Sequence, residues 1–194
     1  MRRSEVARRT GETEITVALV VDGAGECDAD IGVPFLEHML ALMAKFGNLD
    51  LKVKGRGDLH VDAHHTVEDV GICLGEALVE ALGDKSGINR FGHAVVPMDE
   101  ALALVAVDLS GRGYLAFEAR MPAPRVGDFD TELVPEFLHA LAVNGRFNLH
   151  VRVLAGRNTH HIIEAVFKGL GRALYEAVRL EGMKGIPSTK GVVN

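Results

Sequence analysis

The sequence predicts an α+β fold made of two copies of one unit, and three observations support this prediction. First, residues 64–78 align without gaps to residues 160–174, with eight of fifteen positions identical. Second, residues 17–23 and 48–53 have counterparts at 105–111 and 148–153, in the same order along the chain. Third, strand-like and helix-like patterns alternate in the same order in both copies. We therefore predict one compact duplicated unit with halves at 1–88 and 89–194.

The elements of the first half follow from residue patterns. β-branched apolar runs before turn residues, and alternating apolar and charged residues, predict strands. Apolar residues at three- and four-residue spacing, with proline at the start or glycine after the end, predict helices. These rules predict a strand at 15–21 that enters a hairpin through the turn 22–25, a helix at 34–46, a strand at 49–54 and a helix at 64–82.

The second half repeats this order. The same patterns predict strands at 101–109 and 114–120, a helix at 131–143, a strand at 148–154 and a helix at 159–180. Helices that follow strands in this way cover one face of a sheet.

Composition and charge exclude several classes of protein. The chain has 194 residues, of which 21 are basic and 27 acidic, so its net charge of −6 argues against nucleic acid as a partner. Residues 1–10 are charged throughout, and no apolar run is long enough for a secretory signal or a membrane span. Cys27 and Cys73 are isolated in sequence, which fits a reducing compartment. We therefore expect a cytoplasmic protein with no membrane partner.

The repeated pattern HHxxE predicts metal binding. Residues four apart share a helix face, so His64 with Glu68, and His160 with Glu164, would each offer an imidazole and a carboxylate to one ion. The neighbouring histidines point about 100° away and suit a second ion. We expect two mixed groups, in which the crossing ligand comes from the other half or from a neighbouring subunit: His64, Glu68 and His161, and His160, Glu164 and His65. Imidazole and carboxylate ligands suit Mn, Fe, Co or Zn.

Two more residues are candidate ligands by position. His38 and Glu136 lie on predicted helices, 26 and 24 residues before the two histidine pairs. The alternative for each is a polar residue on an amphipathic helix. Asp58 and Asp62 are candidates for orienting ligand histidines through the second ring nitrogen.

Longer motifs surround the histidine pairs along nearly the whole chain. They are RTGET at 9–13, GVPFLEHM at 32–39, GDLHVDAHHTVED at 57–69, GINRFG at 87–92, DLSGR at 108–112, GRNTHHIIEAVFK at 156–168 and IPSTKGV at 186–192. With these motifs the sequence resembles the imidazoleglycerol-phosphate dehydratase family. The resemblance implies a ribosomal protein S5 domain 2-like fold, in which a β-β-β-α-β-α-type unit is duplicated and the helices pack between two sheets. It also implies two Mn²⁺ ions per active site and a homo-oligomeric shell of 24 subunits.

The resemblance assigns roles to individual residues. The implied metal ligands are His38, His64, His65, Glu68, His160, His161 and Glu164, with Glu136 at a position that is often His in the family. The implied phosphate-binding residues are Arg90, Arg112, Lys168, Ser188 and Lys190, which offer the cations and hydroxyl that a phosphate dianion needs. Glu12 is implied to contact the substrate. The candidate catalytic carboxylates are Glu12, Glu68 and Glu164.

The implied reaction is loss of water from a phosphorylated imidazole substrate in histidine biosynthesis. The proton that must leave is poorly acidic, because its carbon carries a hydroxyl and is not next to a carbonyl. Two other classes stay open. A dinuclear metallohydrolase would use the same ligands, but would not need the set of phosphate-binding cations. A non-enzymatic metal-binding shell would assemble with metal and turn over nothing.

Overall fold

The computed structural model describes residues 1–180, 185–191 and 193, and it has four layers. One four-stranded sheet lies on each outside, and two pairs of helices fill the space between the sheets. The predicted α+β class, with helices between two sheets, is confirmed.

The first half forms one sheet and two helices. Its elements are β1 (Arg3–Arg9), β2 (Thr13–Val20), β3 (Cys27–Asp30), α1 (Pro34–Gly47), β4 (Asp50–Gly57) and α2 (His64–Leu82). The strand order is β1-β2-β4-β3, with β3 parallel to β4 and the other neighbours antiparallel.

The second half repeats this arrangement with one small addition. Its elements are β5 (Phe91–Met98), β6 (Ala101–Asp108), β7 (Tyr114–Glu118), β8 (Arg125–Val126), β9 (Phe129–Asp130), α3 (Leu133–Asn144), β10 (Asn148–Ala155) and α4 (Thr159–Val178). The sheet order β5-β6-β10-β7 corresponds strand by strand to that of the first sheet, and β7 is parallel to β10. The short hairpin β8–β9 is the addition. The shared order supports the duplication, while the division between 88 and 89 stays a prediction.

Two sequence expectations about strands were wrong or incomplete. The turn at 22–25 does not close a hairpin, because β2 pairs with β1 and β4, while β3 joins the far side of β4 in parallel. The β-β-β-α-β-α-type unit implied strands at these places, but the residue patterns did not locate β1, β3 and β5. The reason is visible in β1, where only Val6 is buried and the other side chains are largely exposed and polar. An edge strand of this kind lacks the alternation that predicts a strand.

The four helices are held together at close contacts around glycine. Helix α2 packs on α3, and α1 packs on α4. A Cβ at Gly75 would lie 2.5 Å from the backbone nitrogen of Gly145, and one at Gly171 would lie 2.5 Å from the carbonyl oxygen of Met43. Gly75 and Gly171 are equivalent positions of the repeat, so both helix pairs use the same close approach.

Gly171→Ala is expected to destabilise the protein, although alanine favours helix, because the added methyl group would force α4 away from α1. Overpacking of this kind costs about 1–3 kcal/mol. Urea unfolding of the variant and the parent measures this change. Arg172→Ala is the control, since Arg172 is the next residue of α4 and is exposed. Equal stability of Gly171→Ala and the parent would show that the helices can separate without cost.

No helix within the described residues is long and apolar enough to cross a membrane.

Candidate active site

A histidine–carboxylate cluster joins the starts of α1 and α4. It consists of His38 on α1 and of His160 and Glu164 on α4, whose ligand atoms lie within 4.8 Å of one another. The Nε2 atoms of His38 and His160 lie 3.0 and 3.1 Å from the same carboxylate oxygen, Oε1 of Glu164. Two imidazole nitrogens and a carboxylate oxygen around one point are a suitable set of ligands for a divalent transition metal. We call this group the α4 cluster.

Glu164 is ionised in this environment. The residue is 8% exposed, and burial raises its pKa. Hydrogen bonds from Lys168, His38 and His160 outweigh the effect of burial and hold the pKa at about 2. Nζ of Lys168 donates to Oε2 of Glu164 at 2.6 Å. The carboxylate is therefore a permanent negative charge with both oxygens engaged.

The local sequence positions the histidine pairs at the first turns of their helices. The side chain of Asn158 caps α4 and accepts hydrogen bonds from the backbone N–H groups of His160 and His161. Asp62 stands at the equivalent position of the repeat and accepts from the backbone N–H of His64. Such bonds satisfy N–H groups that have no partner within the helix. Asp62 therefore acts on the backbone of a histidine rather than on its ring.

A second cluster lies at the start of α2. It consists of Glu12, Asp58 and His65, whose ligand atoms again lie within 4.8 Å of one another. Nδ1 of His65 lies 3.0 Å from Oδ2 of Asp58 and 3.7 Å from Oε2 of Glu12. The hydrogen bond to Asp58 raises the pKa of His65 above its usual value. We call this group the α2 cluster.

In the second half the ring of His161 also contacts a carboxylate, that of Glu100, which was not among the residues predicted from the sequence. Nδ1 of His161 lies 2.8 Å from Oε2 of Glu100. That bond, with two more from the backbone N–H groups of Arg157 and Asn158, lowers the pKa of Glu100 to about 2. In both His65 and His161, Nδ1 faces a carboxylate, which leaves Nε2 to bind an ion. The repeat contained a signal for Glu100, because the offset of 88 that relates Val17 to Val105 also relates Glu12 to Glu100.

Four predicted ligands lie outside the observed groups. His64, Glu68, Glu136 and His161 are in no group of three with ligand atoms within 4.8 Å in the described part of the chain. Glu68 and Glu136 are half-buried, and α3 packs on α2 as α1 packs on α4. Neither mixed group predicted from the HHxxE pattern is among the groups of three observed in these residues. Any mixed group would require a neighbouring subunit, as the sequence analysis allowed.

The two clusters face different cavities. A cavity of about 760 Å³ is lined by His38 and His160 of the α4 cluster, and by Phe35, Phe129 and Arg125. The ring of Phe35 meets that of His160 edge-on, with centroids 5.3 Å apart. A smaller cavity of about 360 Å³ is lined by Glu12 and Asp58 of the α2 cluster, and by Arg9 and Arg56.

Comparison with known proteins shows the family of the chain. The family model described as imidazoleglycerol-phosphate dehydratase matches residues 31–174. The chain belongs to this family. A relative of that name from Desulforudis audaxviator is 74% identical, with all of this chain and 99% of that protein covered. One from Bacillus subtilis is 58% identical over the full length of both chains.

Solved structures of the family have the same fold. The crystal structure of imidazoleglycerol-phosphate dehydratase from Staphylococcus aureus superposes with a TM-score of 0.84 at 40% identity, over 92% of this chain and 99% of that one. A structure of the enzyme from Pyrococcus furiosus, in complex with (S)-C348, also gives 0.84, at 38% identity over 96% of this chain and 99% of that one.

The residues that the family resemblance assigns to phosphate lie at two separate places along α4. Lys168 lies beside the α4 cluster, where it pairs with Glu164. Arg90 lies at the other end of α4, where its backbone N–H donates to the carbonyl of Ala177. From His160 to Ala177 the helix rises about 25 Å.

The remaining phosphate candidates lie at the Arg90 end. The guanidinium of Arg90 bonds to the carboxylate of Asp108 and to the carbonyl of Pro187, the residue before Ser188. The carbonyl of Arg90 accepts from the N–H of Leu109, and Arg112 follows on the same loop. Lys190 is exposed beside Ser188, whose Oγ accepts from its N–H. Residue 192 of the predicted motif lies outside the described residues. We call Arg90, Arg112, Ser188 and Lys190 the cationic end.

Asp58→Asn and Glu100→Gln are expected to weaken metal binding without unfolding this member of the dehydratase family. Each change removes the carboxylate that orients a histidine, and the loss of such a partner costs about 10- to 100-fold in metal affinity. Titration calorimetry of Mn²⁺ into the metal-free protein measures the change. Asp28→Asn is the control, because Asp28 pairs with Lys54 on the outside of the first sheet. Parental affinity in both variants would contradict the assignment.

Proposed function

We propose that this protein dehydrates imidazoleglycerol phosphate to imidazole acetol phosphate, as a hydro-lyase of L-histidine biosynthesis. The observation that carries the proposal is the α4 cluster, in which His38, His160 and Glu164 converge on one point. Membership of the dehydratase family supplies the reaction. A hydrolase or a storage shell could use such a cluster, but neither accounts for the family match along the chain.

The proposed cofactor is Mn²⁺, with two ions per active site. The donor set fits this ion, because it offers imidazole nitrogens and carboxylate oxygens and the described residues place no thiolate in either cluster. When bound, two such ions act as Lewis acids that stabilise negative charge on the imidazole ring of the substrate. The residues that would hold them are the eight predicted ligands. His38, His160 and Glu164 form the α4 cluster, His65 belongs to the α2 cluster, and His64, Glu68, Glu136 and His161 lie outside both.

The two clusters suit different tasks for their carboxylates. Both oxygens of Glu164 are engaged, by two histidines and by Lys168, so this residue is suited to hold position and charge. Glu12 is different, since 58% of its side chain is exposed and one oxygen lies 3.7 Å from Nδ1 of His65. A general base needs a free oxygen that can reach the substrate. We assign removal of the carbon-bound proton to Glu12 in preference to Glu68 and Glu164.

The active site would be completed by a second copy of the chain. The cationic end lies about 25 Å along α4 from His160. A substrate of one imidazole ring, three carbons and one phosphate is much shorter than this distance. If the ring binds at the α4 cluster and the phosphate at the cationic end, these groups come from different subunits.

The outer face of the second sheet supports such an assembly. It exposes the apolar side chains of Phe91, Val95 and Tyr114, which are 59%, 52% and 59% exposed. The strands of the first sheet expose no large apolar side chain among the described residues, and their outer face carries ion pairs such as Lys54–Asp28 and Arg56–Glu14. Large exposed apolar side chains that share one sheet face are typical of protein–protein contacts. The proposed assembly is the 24-subunit shell that the family resemblance implies.

The test is incubation of the purified Mn²⁺-loaded protein with imidazoleglycerol phosphate, followed by mass spectrometry. We expect a product that is lighter by one water and carries a ketone, and we expect none after treatment with a chelator. Release of inorganic phosphate without the keto product would support a metallohydrolase. Metal-dependent assembly without any product would support a metal-binding shell, and either result would overturn the proposal.

A further inference from the structure

A buried carboxylate next to the α2 cluster has no role in the reaction proposed above. Asp69, on α2 directly after Glu68, is 5% exposed. Its Oδ2 accepts a hydrogen bond from the hydroxyl of Thr13 at the start of β2, and its Oδ1 accepts from Nε of Arg8 on β1 at 2.8 Å. Burying a carboxylate is costly unless it is paired and hydrogen-bonded. These two bonds meet that requirement and tie both strands to α2.

The Thr13 end of this network continues into the turn that carries Glu12. Oγ1 of Thr10 accepts from the backbone N–H groups of Glu12 and Thr13, at 3.1 and 3.0 Å. The backbone N–H of Thr10 donates to the carbonyl of Thr13 at 2.9 Å, and the two threonine hydroxyls lie 3.2 Å apart. The bonds run from Asp69 through Thr13 and Thr10 to the backbone of Glu12. The carboxylate of Glu12 takes no part in them.

In the other half of the protein, the residue equivalent to Glu12 is Glu100, and its carboxylate is fully hydrogen-bonded. At the equivalent position, Glu100 uses its own carboxylate to accept from two backbone N–H groups and to bind His161. The repeat offsets of 88 and 96 place Ala101 where Thr13 stands and Ala165 where Asp69 stands, so this half lacks the threonine–aspartate bond. Glu100 is held by its side chain, whereas Glu12 is held by its backbone.

We infer that Asp69 is a positioning residue for Glu12: through Thr13 it fixes the 10–13 turn against α2, so that the Glu12 carboxylate stays free and beside His65. This inference rests on the proposed function, because it concerns the group assigned to proton removal. It assigns no substrate contact to Asp69. On this inference the two halves differ because only Glu12 keeps a free carboxylate for proton removal. The carboxylate of Glu100 is bound to His161 and to two backbone N–H groups.

The experiment is a double-mutant cycle between Thr13 and Glu12 in the Mn²⁺-loaded assembly. Thr13→Val removes the hydroxyl and keeps the shape, and Thr13→Ser restores a hydroxyl. Ser4→Ala is the matched control, because the hydroxyl of Ser4 donates to the carbonyl of Ala77 at 2.6 Å and so also links β1 to α2, away from the turn. Steady-state kcat and KM, bound Mn²⁺ and circular dichroism are measured for each variant.

We expect Thr13→Val to lower kcat about 10- to 100-fold, since small displacements of a reacting group have effects of this size. KM, metal content and the circular dichroism spectrum are expected to match the parent. Thr13→Ser and Ser4→Ala are expected to keep nearly parental kcat. In the Glu12→Gln background, Thr13→Val is expected to lower the residual rate less than about twofold, because a residue that acts through Glu12 has no further effect once Glu12 is disabled.

Two results would overturn the inference. One is an equal fold-loss for Thr13→Val in both backgrounds, which is the pattern of a purely structural bond. The other is parental kcat in Thr13→Val. Asp69→Asn provides a second measurement, and its loss in kcat must likewise disappear in the Glu12→Gln background. A parent protein that forms no keto product would overturn the proposed function as well, whereas an active parent with an unaffected Thr13→Val variant overturns this inference alone.

Discussion

Glu164→Gln is expected to lose about one bound Mn²⁺ per chain and to lower the dehydration rate on the order of 10³-fold or more. The amide carries no charge, so the two imidazoles of His38 and His160 would lose the anion that holds them together. Lys168 would lose its partner at the same time and leave a cation where a metal should bind. The metal content is measured by atomic absorption after gel filtration, and the rate is measured at saturating Mn²⁺.

Asp28→Asn is the control for this change. Asp28 is an exposed carboxylate that pairs with Lys54 on the outer face of the first sheet, so its removal is expected to leave metal content and rate unchanged. If Glu164→Gln retained its full metal content and rate, the α4 cluster would not be a metal site.

Co-expression of two inactive variants is expected to restore activity. His160→Asn damages the α4 cluster and Lys190→Ala removes a cation of the cationic end, and each variant alone is expected to be almost inactive. If a site takes its cluster from one subunit and its phosphate-binding residues from a neighbour, random mixing leaves about a quarter of the sites intact. Each variant carries a different affinity tag, and the mixed assembly is purified through both tags before the assay.

The same variant carrying both tags is the control, and it is expected to stay inactive. A mixed assembly that is no more active than its parents would mean that one chain supplies both ends of the site. Such a result would require an explanation for the 25 Å along α4, and it would remove the need for a second subunit.

The repeat explains why much of the fold could be predicted. Each pattern occurs twice, so one copy supports the prediction made from the other. The predicted bounds of α2 and α4 therefore agree closely with the observed ones. The strands β1, β3 and β5 were missed because they lie at sheet edges, where most side chains meet solvent and apolar alternation is weak. The partners of β3 depend on sheet topology, which local patterns do not contain.

Some residues of the candidate site could likewise be predicted from the sequence, and others could not. The pairing of His160 with Glu164 follows from helical spacing alone, and His38 joins them because α1 packs on α4. Glu100 was missed because it lies 61 residues from His161, and only the repeat offset connects it to Glu12. The separation of Lys168 from Arg90 could not be predicted, because the sequence does not show whether two phosphate-binding residues come from the same subunit.

A titration of the metal-free protein with Mn²⁺, in which bound metal per chain and the initial rate of dehydration are measured together, tests the proposed two-metal site. We expect the rate to stay near zero in the absence of metal, to rise with occupancy, and to reach its plateau at two ions per chain. Full activity without metal, or a plateau with a single ion per chain, would contradict a two-metal dehydratase.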